Sequence, residues 1–140
     1  MVVYKIGIEN LDWEQLFNLY KKVGLLSRFI NNKDFDSVEK AFTNSYKVVT
    51  AWDKEKLVGA CRLISDGISY GMAFDLGILP EYQKMGLGKG ILLELLKGTE
   101  KFPVHLTSTF GNEEFYKKLG FKKHKTAYSK YPFKTDYVED

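Results

Sequence analysis

Cysteine is nearly absent. The single thiol in 140 residues, Cys61, cannot close an internal disulfide and cannot by itself build a cysteine-based zinc cage. No apolar run approaches the roughly 18 residues that span a bilayer. The opening MVVYKIGIEN lacks the charged-then-apolar layout of a signal peptide. These absences predict a cytoplasmic protein in a reducing compartment, with no membrane and no metal among its partners. Charge of one sign is scarce too. Twenty-one Lys and Arg against 18 Asp and Glu leave a net charge of +3, too mild an excess to point to nucleic acid. Internal repeats, low-complexity tracts and interdomain linkers are also missing, so residues 1–140 read as one domain large enough for a single core.

What is present is an ordinary globular composition, 44% hydrophobic and 28% charged. Lysines crowd the segment from Lys117 to Lys134, before the Val138-Glu139-Asp140 end. A solvated face is the first reading of that cluster and help for an anionic ligand the second.

Residues 2–8 alternate weakly and predict a first strand. Asn10 or Asp12 can cap a helix whose apolar face is Trp13, Leu16, Phe17, Tyr20 and Val23, closed by Gly24. Residues 25–33 read as a loop. A second helix starts near Asp34 or Asp36, with Asp36 and Glu39 spaced as a capping box. Residues 48–52 and 57–64 flank the turn Asp53-Lys54-Glu55-Lys56 and form a hairpin. A third strand runs over 70–79 and stops at Pro80. Leu87, Ile91, Leu92, Leu95 and Leu96 mark a helix, 102–107 a strand and 113–119 a short helix stopped by Gly120. A last strand is expected over 121–131. The order β-α-α-β-β-β-α-β-α-β is that of an α/β fold with a mixed sheet and helices on both faces.

One stretch carries chemistry: Asp75 to Gly90, DLGILPEYQKMGLGKG. Strand, glycine turn and helix start in succession converge backbone N–H groups on one point, and such a point binds phosphate. Three phosphate patterns compete. The P-loop needs Gly-Lys-Ser/Thr with an earlier glycine. Here Gly90 follows Gly88-Lys89, and Gln83 occupies the earlier position. The dinucleotide pattern needs a third glycine where Ile91 stands. The third pattern is met: Gln83-Lys84-Met85-Gly86-Leu87-Gly88 is the Q/R-x-x-G-x-G/A signature.

With that signature, with Asp75 to Tyr82 leading into it, and with Phe115-Tyr116-Lys117-Lys118-Leu119-Gly120-Phe121 about thirty residues on, the chain resembles the GNAT superfamily of acetyl-CoA-dependent N-acetyltransferases, in its small single-domain bacterial form. The resemblance implies acetyl-CoA as co-substrate and a pair of splayed central strands. Residues Gln83, Lys84, Met85, Gly86, Leu87, Gly88, Lys89 and Gly90 would hold the pyrophosphate. Main-chain groups of Leu76, Gly77 and Ile78 would pair with the pantetheine arm, with Gly77 as a bulge site. Tyr116 would protonate the departing thiolate, since a tyrosine hydroxyl of pKa about 10 matches a thiolate in basicity.

A family glutamate base has its counterpart at Met72, so Asp75 is the candidate base or amine anchor, set against a structural role for the same carboxylate. His105, on the neighbouring strand, is a weaker candidate. A family Asn has its counterpart at Phe110, which leaves Asn112 as a helix cap or cofactor contact. Phe29, Arg62 and Tyr128 are candidate acceptor contacts, with Ile30 and Tyr131 as further walls. Arg62 has an alternative as the ion-pair partner of Asp66 or Asp75. The acceptor expected is a primary amine of a small molecule: an amino acid, a polyamine or an arylalkylamine-like compound. A protein lysine or N-terminal acetyltransferase and a non-catalytic acyl-CoA sensor carry the same motifs, and the resemblance allows a homodimer.

Overall fold

The computed structural model describes all 140 residues, and they group into two compact units, Met1–Thr107 and Ser108–Asp140. The first unit holds five strands, β1 (Val2–Ile6), β2 (Lys47–Asp53), β3 (Lys56–Ser65), β4 (Gly71–Ile78) and β5 (Val104–Leu106). Its helices are α1 (Trp13–Val23), α2 (Ser27–Ile30), α3 (Phe35–Thr43) and α4 (Leu87–Leu96). The sheet order is β1-β2-β3-β4-β5, antiparallel except for the parallel pair β4–β5.

Local chemistry explains most of these boundaries. Asp12 accepts a hydrogen bond from the Gln15 amide and starts α1, and Gly24 ends it at φ 75°. The Gln15 side chain then ties α1 to the β2–β3 turn, accepting from Leu57 N at 2.9 Å and donating to Glu55 O at 3.0 Å. Lys47 reaches the far end of α4, where its ammonium donates to Glu94 O at 2.5 Å and Lys97 O at 3.0 Å. A cation there satisfies orphan carbonyls and complements the helix dipole.

The helices cover opposite faces. A Cβ on Gly77 would lie 3.2 Å from Val23 and 3.3 Å from Tyr20, both on α1, whereas Gly59 faces Ile91 of α4. The core on the α1 side is Leu16, Leu19, Tyr20, Val38, Phe42 and Val48; on the α4 side it includes Ile91, Leu92 and Leu95. Gly90 sits on α4 because a Cβ there would be 2.0 Å from the Tyr4 hydroxyl.

Three expectations need correction. The loop over residues 25–33 contains α2, whose Ile30 is buried in the core. The cap of α3 is Asp34, which accepts from the Ser37 amide and hydroxyl, so the Asp36–Glu39 spacing is not its capping box. The expected strand over 121–131 does not form. In the second unit the only regular element is α5 (Glu113–Lys118), and residues 122–134 are exposed throughout. Phe121, Thr126, Tyr128 and Tyr131 have strand propensity, but propensity without a partner strand leaves backbone groups to water.

Phe42 is enclosed by Trp13, Tyr20 and the Arg62 guanidinium. Phe42→Ala should lower unfolding free energy by about 3–5 kcal/mol in urea titration; a midpoint within error of the parent would contradict this packing.

Candidate active site

Strand β4 pairs with β3 along its length but with β5 only through Gly71, Met72 and Ala73. Beyond Ala73 its other edge carries no strand, so the expected splay is present. The β3–β4 register jumps from Arg62↔Phe74 to Ala60↔Gly77. Asp75 and Leu76 therefore stand opposite the single residue Cys61, which defines a β-bulge. The bulge lies at Asp75, with φ 63°, and not at Gly77 as expected. Gly77 instead admits α1 to close range.

The bulge is tied from three sides. The fully buried Tyr20 donates its hydroxyl to Asp75 O at 2.7 Å. Arg62 Nε donates to Asp75 Oδ2 at 2.8 Å, with side-chain exposures of only 12% and 14%. The Cys61 thiol donates to Phe74 O at 3.2 Å. Of the two ion-pair partners considered for Arg62, Asp75 is the one engaged. Asp66 caps its own turn, accepting from the Ile68 and Ser69 amides. Tyr20 was read only as part of an apolar face. The available signal was a phenol within a buried stripe, since a buried tyrosine hydroxyl needs an acceptor.

The chain leaves β4 through a 3-10 turn at Pro80–Tyr82, whose tyrosine hydroxyl donates to Asp53 Oδ2 at 2.5 Å. Gln83 folds back, donating from Nε2 to Ile78 O at 3.0 Å. Lys84 and Gly86 then both take positive φ, 66° and 80°. Gly86 is the N-cap of α4 and supplies no side-chain acceptor. The amides of residues 86–89 meet no acceptor in the chain, while the Gly90 amide already bonds Gly86 O at 3.0 Å. A Cβ on Gly86 would find nothing within 4 Å. The glycine is thus set by conformation, and open space lies beside the free amides. Leu87 is buried and anchors the turn; Met85 is exposed at the surface.

The second unit holds Tyr116, Asn112, Phe110 and Tyr128. Tyr116 lies on α5, half-buried, its ring edge-on to Phe115 at 5.0 Å and to Phe121 at 6.0 Å. Asn112 precedes α5 without capping it; its side-chain amide donates to the Thr109 hydroxyl. Tyr128 is almost wholly exposed. Phe110 stacks on Tyr137 at 4.5 Å and 5°, so the C-terminal tail returns to the segment before α5. Phe29, on α2, carries the Arg28 guanidinium over its ring at 4.6 Å.

A strand with an unpaired edge that feeds a positive-φ glycine and an uncapped helix is matched by a known family model. Residues 44–123 match the acetyltransferase (GNAT) domain. The chain belongs to the GNAT acetyltransferase family. Among curated relatives, an uncharacterised N-acetyltransferase ycf52 from Pyropia yezoensis is 29% identical over 128 residues, 86% of this chain and 71% of its own length. A ycf52-like N-acetyltransferase from Prochlorococcus marinus is 31% identical over 123 residues, 81% of this chain and 64% of its own. Among solved structures, a GNAT family acetyltransferase from Streptococcus pneumoniae aligns with TM-score 0.71 and 29% identity, covering 87% of this chain and 88% of the other.

As a GNAT member this chain is an acyltransferase, and membership implies acetyl-CoA as co-substrate. The residues present suit that molecule: free amides and open space for phosphate, and an unpaired strand edge for an amide-bearing arm. No helix of this GNAT chain is long and apolar enough to cross a membrane, and no cluster of three His, Cys, Asp or Glu stands in metal-binding arrangement.

Cys61, beneath the bulge, is a sensor of its integrity. Burial, and then the Asp75 carboxylate, push the thiol from its ordinary 9.0 to about 12. The folded chain holds that proton more tightly than the unfolded chain does. The resulting stability is complete below about pH 9 and is lost as pH rises toward 12. A thiol reagent at pH 8 should leave native protein unmodified and label it in urea, and the urea midpoint should fall as pH is raised above 9. Rapid native labelling would show that the thiol is not enclosed.

Proposed function

We propose that this chain is an acetyl-CoA-dependent N-acetyltransferase that acetylates a primary amine of a small molecule by direct attack, as one domain over residues 1–140. The family model crosses from the first unit into the second, which supports a single acetyltransferase domain. The observation that carries the reading is the continuous run from the unpaired β4 edge at residues 74–78 to the acceptor-less amides at residues 86–89.

In this reading the α4 N-terminus binds the pyrophosphate through its amides and dipole, and Lys84 and Lys89 add Coulomb attraction. Main-chain groups of Leu76, Gly77 and Ile78 hydrogen-bond the pantetheine arm as a strand would. Acetyl-CoA supplies the activated acyl group. The neutral amine forms the new C–N bond, the C–S bond breaks, and the Tyr116 hydroxyl gives its proton to the departing sulfur. Asp75 is assigned to holding the bulge, because its carboxylate is occupied by Arg62. Proton removal from the amine then falls to water, through which a proton returns to the Tyr116 phenolate.

The acceptor side has an apolar character. Ile64, Met72 and His105 form one cross-strand row on β3, β4 and β5, and Tyr70 stacks on His105 at 6.0 Å. Such a row supports an acceptor with an apolar or aromatic body. The protein would work in the cytoplasm, free of nucleic acid and membrane, with Phe29 and Tyr128 as further acceptor contacts.

Thiol release from acetyl-CoA with pooled amines, amino acids and polyamines should exceed release with peptides. Release only with peptides would make it a protein acetyltransferase, and binding without release a sensor. Tyr116→Phe should lower turnover by about 100-fold or more with the KM for acetyl-CoA little changed; unaltered turnover would remove Tyr116 from the chemistry. Gly86→Asp, which puts a carboxylate into the phosphate space, should abolish acetyl-CoA binding in calorimetry, and intact binding would refute the loop assignment.

A further inference from the structure

Asp75 is the only strand residue at positive φ, and its carboxylate is held by a side chain that is itself tied elsewhere. Arg62 Nε is committed to Asp75, and Nη1 points to Ala41 O at 3.4 Å and Ser45 Oγ at 3.5 Å at the end of α3. The guanidinium also lies 5.6 Å from the Phe42 ring centroid and 5.5 Å from that of Phe74. An arginine tied in this way, with a side chain only 12% exposed, is poorly placed to bind an acceptor carboxylate. Its geometry serves the bulge instead.

The bulge decides what the next three residues present. Without it, β4 would continue in simple register, and a one-residue slip turns every later side chain to the opposite face. Gly77 would leave Val23 and Tyr20, and the main-chain groups of Leu76, Gly77 and Ile78 would lose their present orientation at the open edge. We propose that Arg62 is a positioning residue for the cofactor arm: through Asp75 it locks the β4 bulge and so fixes the edge that pairs with pantetheine. The proposal rests on the acetyl-CoA reading above and assigns Arg62 to the cofactor, not to the acceptor.

The clamp acts on the arm and not on the phosphates, and this separates it from a general structural role. CoA and its arm-less fragment, 3′-phosphoadenosine 5′-diphosphate, are titrated by calorimetry into the full chain, with urea unfolding of each variant as a control. Arg62→Met and Asp75→Asn should each weaken CoA by about tenfold or more, and the double variant should be no weaker than the worse single one. The fragment should bind all of them within about twofold of the parent, because it needs only the α4 N-terminus. Arg62→Lys keeps the charge but lacks the planar fork. It should resemble Arg62→Met and serves where that variant does not fold. CoA affinity unchanged in folded Arg62 variants overturns the proposal, as does equal loss of CoA and fragment. If the parent chain binds neither ligand, the acetyl-CoA reading itself fails, an outcome distinct from failure of the clamp.

Discussion

The sheet depends on one local departure from regular pairing, the bulge at Asp75. A non-glycine residue in the left-handed region is strained by about 1–3 kcal/mol. It persists only where its surroundings over-determine it. Here a buried phenol takes its carbonyl, a guanidinium takes its carboxylate, and the neighbouring carbonyl takes a buried thiol. A hydrogen bond to a charged group contributes about 1.5–3 kcal/mol, enough to offset that strain. These ties draw on α1, α3 and β3, so the helical layer over this face of the sheet is assembled around the bend in β4.

What the bend makes available is a strand edge in the middle of a sheet. Edges are normally covered or charged, because exposed N–H and C=O groups recruit other strands. In this chain the edge opens beyond Ala73 and leads into a helix start that is also unsatisfied. Gly86 offers no capping oxygen, and the amides of residues 86–89 point away from any chain acceptor. Two sets of unmet main-chain donors and acceptors in sequence are a poor arrangement for stability alone. They suit a ligand with amides in its arm and phosphates at its end.

The sequence made some of this legible for identifiable reasons. Backbone conformations that need glycine leave a trace, so the turn at Gly86 and the stops at Gly24 and Gly120 were readable. Amphipathic spacing located α1, α3 and α4, and the two motifs pointed to the family. An ion pair of Arg62 with Asp66 or Asp75 was readable, but which of the two aspartates it takes was not. Strict alternation places Phe74 and Asp75 on opposite faces, and Arg62 stands directly across from Phe74. Only the positive φ at Asp75 turns its carboxylate back toward Arg62. The strand expected over 121–131 failed for the complementary reason. Its Phe, Tyr and Thr have the right local preference, but pairing is a long-range property that no local pattern supplies. Gly90 was grouped with the phosphate glycines by position, whereas its contact is with Tyr4 on β1, which is remote in sequence.

The most direct measurement is amide hydrogen exchange along the chain with and without acetyl-CoA. New protection is expected in two patches, residues 76–78 along the open edge of β4 and residues 86–89 at the start of α4, whose amides meet no acceptor in the chain. Protection gained elsewhere with both patches unchanged would contradict the site, even if acetyl-CoA bound tightly.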